Sequence, residues 1–232
     1  MTDPKHLKIG VLGGIGPEAT AEFYAKLIAE MQARKMVQQN SDFPQIIINS
    51  IPTSELINHE ASDGELKPYI RGLKELDSFG VDFIAIVCNT MYLFYELLQS
   101  NVRAPIINLR EKLRVKLETD GVKSVFILGT PNTVKRGLYR FENMKSLEPT
   151  DEELRILSDA AFDFNRGVDK KEQIATARKI CQKYLNSGSN TVILGCTELA
   201  LMLCNEAFDK INTIDVLVDA TIDMISSSQG RL

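Results

Sequence analysis

Two short motifs place a thiol beside polar side chains at the end of an apolar run. Cys88-Asn89-Thr90 follows Phe83-Ile84-Ala85-Ile86-Val87, and Cys196-Thr197-Glu198 follows Thr191-Val192-Ile193-Leu194-Gly195. The two cysteines lie 108 residues apart. A cysteine that ends a strand and opens a helix meets the N–H groups of the first helical turn, which favour the thiolate. Starting from a free-cysteine pKa of about 8.5, that setting would let one thiolate and one thiol coexist near neutral pH. Facing each other across a cleft, such a pair would remove a proton from one side of a carbon and deliver another to the opposite side, inverting its configuration. The alternative is that both are small buried hydrophobes, as cysteines often are. Repetition of the sulfur together with its polar successors favours chemistry. Cys181, inside a helical pattern, and Cys204, after Leu201 to Leu203, read as core cysteines.

The elements that must position these thiols recur in a regular alternation. Strand-like runs at Lys8 to Leu12, Gln45 to Asn49, Asp82 to Val87, Ala104 to Ile107, Ser124 to Leu128, Thr191 to Leu194 and Asn212 to Ile214 are separated by helical patterns. Most are almost continuously apolar, the mark of strands covered on both faces in a parallel sheet. Pro17 suits the first turn of a helix running to about Met36, and Thr150 with Glu153 forms a capping box. Gly80, Gly121, Gly167 and Gly188 read as helix stops.

A second internal likeness supports a duplication. Ile9-Gly10-Val11-Leu12-Gly13 resembles Val125-Phe126-Ile127-Leu128-Gly129, 116 residues on, and each precedes a helix-starting proline. The expectation is an α/β chain of two similar parallel-sheet domains related by a pseudo-twofold axis. Residues 1–108 with 212–232 would form one domain and 109–211 the other. Ligands of such sheets sit beyond the carboxyl ends of the strands, where both cysteines fall.

Composition excludes several classes. The chain has 232 residues, 44% hydrophobic and 25% charged, and a net charge of −4 with no basic block, which argues against nucleic acid as a partner. No apolar run approaches the roughly 20 residues that span a bilayer, and no signal-peptide core precedes His6, so a cytoplasmic protein without a membrane partner is expected. The four cysteines lack zinc-site spacing and only His6 and His59 could join them, so no metal is expected. Those histidines lack the Gly-x-Ser-x-Gly context of a Ser-His-Asp hydrolase. Gly14-x-Gly16-x-x-Ala19 fits a dinucleotide fingerprint and raises an NAD-dependent oxidoreductase as one alternative. The second run ends in Asn49-Ser50, however, where an acidic ribose ligand belongs. A non-catalytic amino-acid-binding protein is the other alternative.

Gly13-Gly14-Ile15-Gly16-Pro17-Glu18-Ala19-Thr20, Cys88-Asn89-Thr90 and Gly195-Cys196-Thr197-Glu198, in this order and spacing, resemble the aspartate/glutamate racemase family, closest to its cofactor-independent aspartate racemases. The resemblance runs from about Lys8 to Ile225. It implies two flavodoxin-like domains with the site between them, an amino-acid substrate, no cofactor and a homodimer. By position, Cys88 and Cys196 would be the catalytic bases. Asn89, Thr90, Thr130 and Thr197 would hold the α-carboxylate, with Glu198 beside them, while Gly14 and Ile15 form a loop at the cleft. Ser50 and Thr53 would reach toward the substrate side chain. Thr130 reads equally as a helix cap.

In aspartate-specific relatives basic side chains are expected to read the distal carboxylate. Asn49 to Ser54 contains no Lys or Arg, and the position two before Gly167 is Asn165. Arg166 is a substitute or a solvated helix end, so the substrate is aspartate or a related neutral or longer amino acid. Lys135-Arg136 would add positive potential near the cleft or form a solvated face, and Asn58 to Gly64 would close over the substrate.

Overall fold

The computed structural model describes residues 7–54 and 62–229. Their frame is a pair of parallel sheets. In the first, β1 (Lys8–Gly13) lies between β2 (Gln45–Ser50) and β3 (Phe83–Ile86). Ile84 of β3 makes a further parallel bridge to Ile106. In the second, β4 (Ser124–Leu128) lies between β5 (Lys145–Leu147) and β6 (Thr191–Leu194), and β7 (Lys210–Asn212) pairs with β6. The Ile106 bridge occupies beside β3 the place that β7 occupies beside β6, so the sequence repeat corresponds to a repeat of strand order.

Burial explains the apolar runs. Every residue of β3, β4 and β6 is buried, as strands covered by helices on both faces must be. The edge strand β2 is half-exposed, with Ile48 at 38%.

Helices α1 (Pro17–Ala33) and α2 (Asp63–Ser78) belong to the first sheet's connections, followed by a 3-10 turn at Thr90–Phe94 and the short α3 (Tyr95–Gln99). The remaining helices are α4 (Leu109–Thr119), α5 (Pro131–Lys135), α6 (Asp151–Asn165), α7 (Lys170–Asn186), α8 (Thr197–Leu203) and α9 (Thr213–Gln229). α1 buries Ala19, Phe23, Leu27 and Met31 at four-residue spacing, one stripe of a helix. The Thr150–Glu153 capping box opens α6 as its sequence requires. α9 packs on α1 and α4. Ion pairs Lys26–Asp215 and Arg34–Asp219 flank that packing.

Two local expectations are corrected and one strand goes unforeseen. Ala104 to Ile107 makes one bridge rather than a strand. The run at Asn212 to Ile214 is strand only through Asn212, because Thr213 already opens α9 and its hydroxyl donates to Leu194 O at 2.8 Å. β5 was not legible, since three residues, Lys145-Ser146-Leu147, carry too little periodicity. The segment expected to close over the cleft, Asn58 to Gly64, lies outside the described residues as far as position 61. Its end is the start of α2, where the Ser62 N–H donates to Glu65 Oε2 at 2.9 Å. His6 and His59 also lie outside the described residues. No helix among the described residues is long and apolar enough to cross a membrane.

Candidate active site

Both motif cysteines stand just beyond the carboxyl ends of equivalent strands, Cys88 after β3 and Cys196 after β6. Both line a single cleft of about 30 Å³, together with Ile15, Asn89, Thr90, Thr130, Thr197 and Glu198. That space holds about two waters. An amino acid is larger, so its entry requires the walls to part. Cys88 is half-buried, and Cys196 is 3% exposed.

The loop after β1 is shaped by two left-handed glycines. Gly14 (φ +83°) runs so close to the chain after β2 that a Cβ there would lie 2.5 Å from Ile51 O. At Gly16 (φ +77°) a Cβ would come within 2.4 Å of Glu198 Oε1. Thr20 fixes the loop, its hydroxyl accepting from Gly14 N at 3.0 Å and donating to Gly16 O at 3.1 Å. The fingerprint glycines are thus accounted for by contact with Ile51 and a carboxylate. That carboxylate is a poor neighbour for the pyrophosphate a dinucleotide would bring.

Hydrogen bonds join the two sequence halves around the sulfurs. Thr90 Oγ1 lies 3.5 Å from Thr130 Oγ1 and 3.3 Å from Thr133 Oγ1, and Thr130 also caps α5 by accepting from Thr133 N at 3.3 Å. Both readings of Thr130 therefore hold as geometry. The hydroxyl of fully buried Tyr139 donates to Asn89 Oδ1. Glu198 collects three donors: Cys196 Sγ and Thr197 Oγ1, each 3.0 Å from Oε2, and Asn165 Nδ2, 3.3 Å from Oε1.

Electrostatics reverse the expectation of an acidic thiol. Burial pushes the Cys88 thiol up to about 12, the Met91 and Thr90 N–H groups opposing only part of the desolvation and the Glu198 charge adding to it. Burial likewise raises Cys196 well above the ordinary thiol value, with the Glu198 carboxylate adding to the rise. In a cleft this small, loss of water around the thiolate outweighs the helix N-termini.

Not every expected residue reaches the cleft. Gly14 shapes the loop without lining the cavity. Neither Ser50 nor Thr53 lines it; Ile51 takes the buried position and leaves Ser50 exposed. Arg166 is solvated and pairs with Asp163. Lys135 pairs with exposed Asp151 at 2.7 Å, while Arg136 lies 5.0 Å over the Phe94 ring. Cys181 is fully buried in α7, and Cys204 Sγ donates to Leu201 O at 3.2 Å.

Sequence reasoning missed Tyr69 and Met91, which line the cleft, and Tyr139 and Thr133 behind it. The aromatic and Met residues looked like core, and only the fold shows that α2 and the chain after α5 meet the cysteine loops.

Residues 12–224 match the family described as Asp/Glu/Hydantoin racemase. The broad specificity amino-acid racemase RacX of Bacillus subtilis is 32% identical over 133 residues, covering 57% of this chain and 58% of that protein. The chain thus spans a little over half the length of this relative in the match. An aspartate racemase homologue from Pyrococcus horikoshii OT3 superposes with a TM-score of 0.73 at 28% identity, covering 94% of this chain and 99% of that one. The Picrophilus torridus aspartate racemase shares the fold, with a TM-score of 0.78 at 21% identity over 95% of this chain and 94% of that one. Since the match takes in both cysteine motifs and the fold is shared along almost the whole length, the chain belongs to the Asp/Glu/Hydantoin racemase family.

Proposed function

We propose that the chain is a cofactor-independent amino-acid racemase in which Cys88 and Cys196 are the two bases, one for each enantiomer. The observation that carries this reading is that both sulfurs, from strands 108 residues apart in sequence, line one cleft. In this reading the domains are residues 1–108 with 212–232 and residues 109–211, the cleft lies between them, and the protein works as a homodimer in the cytoplasm.

Asn89, Thr90, Thr130 and Thr197, with the N–H groups that open the following helices, hold the α-carboxylate. The α-carbon then sits between the sulfurs. One cysteine, as thiolate, takes the α-proton: the C–H bond breaks, an S–H bond forms, and the electron pair stays on the substrate as a carbanion spread into the carboxylate. The opposite thiol gives its proton to the other face and becomes the thiolate, ready for the mirror-image substrate. Hydrogen bonds to the carboxylate strengthen as charge builds there.

Raised thiols must be brought down for this to run. The substrate's ammonium, entering beside both sulfurs, favours the thiolate. The Met91 and Thr90 N–H groups receive the charge at Cys88. At Cys196 the Glu198 carboxylate accepts the S–H hydrogen bond, which holds this sulfur as the oriented thiol until the ammonium arrives.

The test is Cys88→Ala and Cys196→Ala in deuterated water, with each enantiomer supplied alone. Each variant should lose racemisation by at least about 10³-fold. Each should keep α-deuterium exchange for only one enantiomer, opposite in the two variants. Racemisation at the parent rate by either variant would refute the two-base assignment.

A further inference from the structure

We propose that the cleft selects amino acids bearing a single carboxylate and disfavours aspartate and glutamate, with Asn165 and Glu198 setting that choice. This rests on the racemase reading and adds the substrate class.

The balance of charge around the cleft carries the argument. Among the described residues that line it, Glu198 is the one charged side chain, and there is no Lys, Arg or His. Its partners are neutral donors: a thiol, a hydroxyl and the Asn165 amide. The basic groups on the nearby helix ends are engaged elsewhere and open to solvent. Arg166 pairs with Asp163, and Lys170 Nζ bridges both oxygens of Glu18 at 2.6 and 2.8 Å. The chain after β2 adds no Lys or Arg, because residues 49–61 contain neither.

A substrate α-carboxylate has a defined place among the hydroxyls and helix starts. A second carboxylate does not. It would enter a small, desolvated space that already holds Glu198, with no basic side chain among the described lining residues and only the substrate's own ammonium to offset two negative charges, where like charges repel far more strongly than in water. The remaining walls are apolar or neutral, with Ile15, Tyr69 and Met91 facing the cavity. A neutral side chain meets them at no electrostatic cost. Asn165 matters because, among the described residues, its amide hydrogen-bonds Glu198 from outside the cysteine motif. A lysine there would turn a neutral donor, 3.3 Å from the carboxylate, into a counter-charge.

Isosteric pairs separate charge from shape. The parent enzyme is given single enantiomers of asparagine and aspartate, and of glutamine and glutamate, in deuterated water, with homoserine and methionine alongside. Inversion is followed by chiral chromatography and α-proton loss by NMR. Each amide should exceed its acid in kcat/KM by about a hundredfold, the scale on which a buried unpaired charge is rejected. If both amides fail while homoserine or methionine turns over and the acids do not, the single-carboxylate choice still stands. Aspartate or glutamate turned over as well as the best neutral substrate overturns the proposal and leaves the racemase reading intact. No exchange with any amino acid overturns the racemase reading, and this proposal with it. In Asn165→Lys the acid-to-neutral ratio should rise at least about tenfold. An unchanged ratio, in a variant whose circular dichroism and Tm match the parent, removes Asn165 from the selection.

Discussion

Cys88 and Cys196 occupy equivalent strand ends yet differ in what surrounds the sulfur. Cys88 keeps part of its surface open to the cleft and leads into a 3-10 turn, with the Thr90 and Met91 N–H groups directed at it. Its neighbour Asn89 is tied to Tyr139 from the other sequence half. Cys196 is buried at the start of α8 and its S–H donates a hydrogen bond to Glu198 Oε2 at 3.0 Å. Burial raises both thiols, but of the two sulfurs only that of Cys196 is hydrogen-bonded to the carboxylate. Two similar strand-turn-helix units thus carry the two sulfurs, and the next two residues in each make them unlike. One sits among donors that favour an anion and the other against an acceptor that favours S–H. In the proposed relay the two forms exchange at each turnover, so the inequality bears on which sulfur rests as the thiol, and it favours S–H at Cys196.

The strongest way to break this comparison is to remove the carboxylate. Glu198→Gln should lower racemisation by about 10²-fold, equally for both enantiomers in kcat/KM, since the two directions share one transition state. Exchange carried by Cys88 alone should survive within a few-fold. Equal loss of both exchange reactions, measured by NMR in deuterated water, would show that the two sulfurs do not differ as described.

Alkaline pH probes what the thiols share. With Cys88 raised to about 12 by burial, the thiolate fraction and hence kcat/KM should climb up to about tenfold per pH unit above neutrality. The folded protein binds a proton that the unfolded chain releases, so this group's stabilising contribution is full below pH 9 and is lost as pH rises toward 12. Buried Cys181, also raised to about 12, adds to the same loss of stability. Cys181→Ala should therefore flatten the alkaline fall in Tm while leaving the pH–rate profile in place. A profile that levels off below pH 8 would contradict the desolvation argument.

The smallest effect tests the link on the Cys88 side. Tyr139→Phe deletes the hydroxyl that Asn89 accepts and leaves a buried carbonyl unsatisfied. It should cost about 1–3 kcal/mol and, by calorimetry, lower Tm by roughly 2–4 °C per kcal/mol. KM should rise more than kcat falls. An unchanged Tm and KM would leave Asn89 positioned by its own turn alone.

Much of this molecule was legible before folding. The continuous apolar runs gave β1, β2, β3, β4 and β6 to within two residues, and Pro17, Thr150 and Glu153 marked helix starts through local rules. The two cysteine motifs announced themselves by repetition. The three-residue β5, the lone Ile106 bridge and the early start of α9 escaped, because each depends on a neighbouring strand or helix rather than on its own pattern.

What the sequence determined by itself was therefore everything set by period and near neighbours: the layers, the caps and the pair of sulfurs at strand ends. Tertiary structure alone decided that both sulfurs share one cleft, that Tyr139, Thr133 and Asn165 hydrogen-bond to residues lining it, and that Ser50 and Thr53 do not line it. It also reversed the reading of thiol acidity. A helix N-terminus is visible in sequence, whereas desolvation is created only when distant segments close around an atom and exclude its water.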